Sequence, residues 1–91
     1  MKNDKEIIKW VIKEIIGYQH NLIDLDDLQA TLLHSAELIS NSEYGAKIKI
    51  IFGNCENKLE ELKFTYNNSD IVNRTQNFLK ETEQTLWKEI K

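Results

Sequence analysis

Ala46-Lys47-Ile48-Lys49-Ile50-Ile51-Phe52 is the stretch whose reading decides the fold, because it admits both a strand and a helix. Its β-branched residues and its alternation of apolar with charged positions fit a strand. Over the longer interval, however, Tyr44, Ile48, Ile51 or Phe52, Cys55, Leu59, Leu62 and Tyr66 recur at helical spacing. A lone strand would have no pairing partner elsewhere in the chain, so 42–66 is predicted to be one helix. Gly45 and Gly53 then lie inside it, each costing about 1 kcal/mol relative to alanine and marking places of close helix contact.

Working outward, Asn67-Asn68-Ser69-Asp70 has the composition of a turn and cap. The fourth segment follows with Ile71 or Val72, Thr75, Phe78 or Leu79, Thr82, Leu86 and Ile90, and Trp87 extends the seam. Segments three and four thus form a long antiparallel hairpin. Upstream, Asp24-Leu25-Asp26-Asp27-Leu28 opens a second helix that runs to about residue 40. Asp24 caps it, Asp27 stands at its third position near the positive end of the peptide dipoles, and Ile23 and Leu28 supply a hydrophobic staple. Leu25, Leu28, Leu32, Ala36 and Ile39 trace its apolar face, broadened by Leu33 and Leu38, and Asn41 or Ser42 ends it and starts the next helix. The first helix spans about 4–18, with Ile7, Ile8, Val11, Ile12, Ile15 and Ile16 inward, Trp10 on a flank, and Gly17 or the following Tyr18-Gln19-His20-Asn21 ending it. Lys5, Lys9 and Lys13 form an outer stripe read as a solvated face.

The expected fold class is all-α: a compact four-helix, predominantly antiparallel bundle with a long C-terminal helical hairpin. A chain of 91 residues makes one domain, 1–91, and the absence of proline agrees with long helices. The unequal helix lengths leave the outer half of the hairpin less covered, where Phe64, Tyr66, Phe78 and Trp87 are candidates for dimer or partner contacts.

The net charge of −3 belongs to one segment. Residues 21–43 hold five acids, Asp24, Asp26, Asp27, Glu37 and Glu43, and no Lys or Arg, while the other segments are near balance. No basic stripe is available to exchange counterions with phosphates, so no nucleic-acid partner is expected, and the acids beside the connection between segments two and three disfavour a DNA-reading helix there. A protein partner with a basic surface matches better. Cys55 is the only cysteine, which excludes an intrachain disulfide framework and points to a reducing compartment. The N-terminal pattern lacks a continuous signal-peptide core and no apolar run is long enough for a membrane span, so the expected location is cytoplasmic.

The inventory for catalysis is thin. His20, His34 and Cys55 stand alone, with no nucleophile turn or third orienting residue, and no enzyme activity is expected. The aspartate run lacks the alternating oxygen ligands, central glycine and terminal glutamate of a calcium loop. Gly17 and Thr31 occupy the positions three before His20 and His34, so the Glu-x-x-His pairs of a di-metal bundle are missing. No cofactor or metal is expected. The run keeps two readings: capping with solubility, and recognition of a basic partner.

In size and helix pattern, including the Leu25-Asp26-Asp27-Leu28 start, the chain resembles the small all-helical immunity proteins that protect bacteria from bacteriocins or delivered toxins. Its richness in Asn, Ile and Lys is similar to that of proteins from low-GC bacteria. The resemblance implies a toxin-immunity or antitoxin-like factor that binds a toxin, or the toxin's target, and blocks it by steric occlusion. Asp24, Asp26, Asp27, Glu37 and Glu43 would then approach a basic surface, with an exposed Tyr44 as a central contact. The alternative is a structural or secretion-associated helical protein that forms a homodimer through the long hairpin. Small secreted hairpin proteins with a central Trp-x-Gly turn have comparable length, but here the tryptophans, Trp10 and Trp87, lie near the ends and Asn67-Asn68 at the predicted turn.

Overall fold

In the computed structural model, which describes residues 3–65 and 68–90, the stretch 46–52 is helical throughout. Burial follows the helical spacing: Ile48, Phe52, Cys55, Leu59 and Leu62 are buried, whereas Ile50, which a strand would place beside Ile48 and Phe52, is 63% exposed. Packing on one face outweighs the low helix propensity of the β-branched run. The four helices are α1 (Asp4–Gln19), α2 (Leu25–Leu38), α3 (Glu43–Thr65) and α4 (Asn68–Glu89), and the described residues include no strand. Each packs on its two neighbours in the cyclic order α1, α2, α3, α4. The result is the expected compact antiparallel bundle, 39 × 21 × 20 Å, closed by the long α3–α4 hairpin.

The core is a single cluster built from Ile7, Ile8, Val11, Ile12 and Ile15 of α1, Leu28 and Leu32 of α2, Ile48, Phe52, Cys55 and Leu59 of α3, and Leu79 and Leu86 of α4, with Ile39 closing the end of α2. Leu33 and Leu38 do not broaden the buried face of α2: both are about half exposed, and Gln29 and Ser35 take buried positions instead. The reason is rotation of the helix, which turns 29 toward α3 and 33 and 38 outward. Burial along the hairpin reaches Leu62 and Thr75, so its covered part extends further than helix lengths alone suggest. Past Leu62, Phe64 is exposed; within the covered part of α4, Phe78 is half-buried against the core, and near its far end Trp87 is partly exposed with its indole N–H directed at the Glu83 carboxylate. The candidate Tyr66 lies outside the described residues.

Helix ends are set by local chemistry. Asn3 accepts from the Glu6 amide at 2.9 Å and starts α1. That helix passes through Gly17 and ends two residues later, where Asn21 takes the left-handed conformation (φ 62°). The Leu22 amide then donates to the Gly17 carbonyl and the Asn21 amide to that of Tyr18, the paired bonds of a Schellman turn. Asn68, Ser69 and Asp70, expected in the turn, already belong to α4. Short polar residues are as suitable for a first helical turn as for a cap, which shifts the boundary.

Candidate functional site

The start of α2 is built as its sequence suggests. Asp24 Oδ1 accepts from the Asp27 amide at 2.8 Å, and Asp27 Oδ2 accepts from the Asp24 amide at 3.4 Å, a reciprocal capping box. Ile23 and Leu28, the expected staple residues, both pack in the core cluster. All three aspartates are exposed. Beside them lies a groove of about 660 Å³, with Tyr18, Leu22, Ile23 and Leu25 as its apolar part and Asp24, Asp27 and Lys63 as its charged rim.

Lys63 is the residue that segment-by-segment charge does not reveal. It reaches from the last turn of α3 to Asp26 Oδ1 at 2.5 Å and touches Gln29 Oε1 at 3.5 Å. The hydrogen bond that Lys63 donates to Asp26 is the main cause of its raised pKa, with Glu60 and Asp24 adding to it. Gln29, buried between α2 and α3, in turn donates to Glu60 at 2.6 Å and Glu56 at 3.4 Å. A polar seam therefore runs down the α2–α3 contact and delivers one cation to an acidic segment that has none of its own. The signal in the sequence was Gln29, one amide within the apolar stripe of α2; its partners are tertiary and invisible to spacing.

Glu37, Glu43 and Tyr44 are not brought to this site. The 14 residues of α2 separate its ends by about 21 Å, and Glu37 and Glu43 are exposed at the other end. Tyr44 is half-buried, not exposed: its ring packs on the core and its hydroxyl donates to the Glu89 carbonyl at 2.8 Å. Burial, and then the neighbouring Glu89 carboxylate, raise its pKa. Its place in the Tyr44-Ile48 helical spacing already favoured that inward position. Around it, Asp4 accepts from the Ser40 amide at 2.9 Å and the Ser40 hydroxyl at 2.6 Å, Ser42 caps α3 by accepting from the Gly45 amide at 3.0 Å, and Lys47 bridges Glu89 at 3.0 Å.

The groups that could carry catalysis stand apart. Burial pushes the Cys55 thiol up to about 12, the reverse of an activated nucleophile. His20 caps the end of α1, and the exposed His34 sets its ring edge-on to Trp10 of α1 at 6.2 Å. Among the described residues no group of three or more His, Cys, Asp or Glu converges as a metal site, and no helix is long and apolar enough to cross a membrane. A second groove, of about 430 Å³ between the end of α1 and α4, is lined by Gln19, Gln76, Asn77, Lys80, Glu83 and Gln84 and offers only mixed amide and charged contacts.

No family model, curated protein or solved structure matches the chain.

Proposed function

We propose that the protein is a binding module that lays the acidic end of its bundle on a basic surface of another protein and acts by covering it, in the manner of a toxin-immunity or antitoxin-like factor. The observation that carries this reading is the groove of mixed apolar and charged lining at the capped start of α2, bordered by the exposed Asp24 and Asp27 with the exposed Asp26 beside it. A charged rim around an apolar centre is the composition of a protein-docking patch: the rim steers approach and orientation, and the apolar part supplies the contact that persists. Asp24 and Asp27 use one carboxylate oxygen each within the capping box and keep acceptor capacity for an arriving Arg or Lys. Asp26 is held by Lys63 in an exposed bridge that adds little stability, so exchange of Lys63 for a partner's guanidinium is an inexpensive step.

The test uses the chain as bait, alongside Asp24→Ser/Asp26→Lys/Asp27→Gln. This variant retains an N-cap hydroxyl and a polar third residue while removing the negative charge. A basic protein retained by the natural chain, released by salt and lost by the variant supports the reading. Equal retention with equal salt dependence rejects the site. The alternative, a structural or secretion-associated helical protein that associates with itself, has its support on a different face, the outer side of α3.

A further inference from the structure

The outward side of α3 carries residues that one chain does not use. Ile50 and Phe64 are 63% and 78% exposed, and stepping from Ala46 through Ile50, Gly53 and Asn57 to Phe64 follows the four-and-three spacing of a helix-on-helix seam. Gly53 lies near its middle. The two glycines of α3 differ sharply in this respect. At Gly45 a Cβ would fall 2.1 Å from the Ser40 carbonyl oxygen, so the fold requires the missing side chain, whereas at Gly53 no atom lies within 4 Å. Glycine inside a helix is unfavourable unless another backbone comes close, and within this chain none does.

The charges identify the second helix as another α3. Lys47 and Lys49 flank the N-terminal half of the face, and Glu60 and Glu61 flank the C-terminal half. Turned end for end about Gly53 and Asn54, a second copy brings its Glu61 to Lys47 and its Glu60 to Lys49, while a parallel copy sets lysine on lysine and glutamate on glutamate. Phe64 of each copy then overlies the first turns of the other, where Ala46 is the outward residue. Lys47 and Lys49 also touch Glu89 and Asn41, Glu60 accepts from Gln29 and Glu61 bridges Lys58 at 3.5 Å, but each ammonium and carboxylate retains bonding capacity.

We propose that the outward face of α3 joins two copies of this chain into an antiparallel, two-fold symmetric dimer crossing at Gly53. The pairing is independent of whether the acidic end has a partner. A single helix pair buries less than the roughly 800 Å² per partner of a standard interface, so the dimer dissociates at about 10–100 μM. Sedimentation equilibrium of the full chain across that range reads a mass rising from one chain to two. Gly53→Leu retains its helical circular dichroism, melts a few degrees higher because open space receives the new side chain, and dimerises at least tenfold more weakly. Lys47→Glu weakens the dimer about tenfold, and Lys47→Glu/Glu61→Lys restores it to within about threefold. A one-chain mass at every concentration overturns the proposal, as does a dimer unmoved by Gly53→Leu or a charge-swapped variant that fails to recover.

Discussion

The two ends of this bundle hold similar short polar side chains and put them to different use. At the end that gathers the start of α1, the α2–α3 connection and the end of α4, those groups face one another: Asp4 holds Ser40, Ser42 holds the first turn of α3, and Tyr44 holds the last turn of α4. At the other end, Asp24, Asp26 and Asp27 satisfy the start of α2 and one lysine but stay exposed around a groove. One end uses its polar groups to close the fold; the other leaves carboxylate oxygens open to solvent. A count of charges along the chain treats both ends alike, which is why it groups Glu37 and Glu43 with the aspartates.

The largest effect is expected at Gly45. Gly45→Ala sets a Cβ 2.1 Å from a backbone oxygen, and forcing the α2–α3 connection apart is expected to lower stability by about 3 kcal/mol in a denaturant titration. Asp4→Ala removes two hydrogen bonds from an ionised group at a half-buried site, with an expected loss of about 1–2 kcal/mol and no change in partner retention. Asp24→Ala removes the cap of α2 at about 1 kcal/mol, or a melting shift of about 4–8 °C, and weakens partner binding as well. Asp26→Asn sharpens the contrast with the smallest structural effect: its melting temperature stays within about 2 °C of the parent, while the salt dependence of partner binding becomes shallower.

Much of the fold is legible in the sequence because it rests on local chemistry. The five isoleucines and the valine of α1, the Asp24–Asp27 box and the Ile48 to Leu62 spacing each point to their structural role without reference to another helix. The 46–52 ambiguity yields to the same logic once the longer spacing is considered, and the exposure of Ile50 confirms it. What the sequence hides is whatever depends on a neighbour's rotation: Leu33 and Leu38 turn outward, Gln29 turns in, and Lys63 arrives from 37 residues away to meet Asp26. Asn21 was hidden for a different reason, since several residues near the end of α1 could take the left-handed turn and only the backbone selects one. For the candidate site, the capping half was readable and the groove was not, because its walls come from the α1–α2 turn and from α3 together.

Whether the end of the bundle at the start of α2 is the docking surface and the opposite end is structural is tested most directly by the salt dependence of affinity for the captured basic partner. It compares the natural chain, Asp24→Ser/Asp26→Lys/Asp27→Gln, and Glu37→Gln/Glu43→Gln at the far end, each checked for folding. The first variant is expected to lose at least tenfold in affinity and to flatten the salt dependence, while the far-end variant matches the natural chain. Equal weakening by both variants, or weakening by the far-end variant alone, would contradict it.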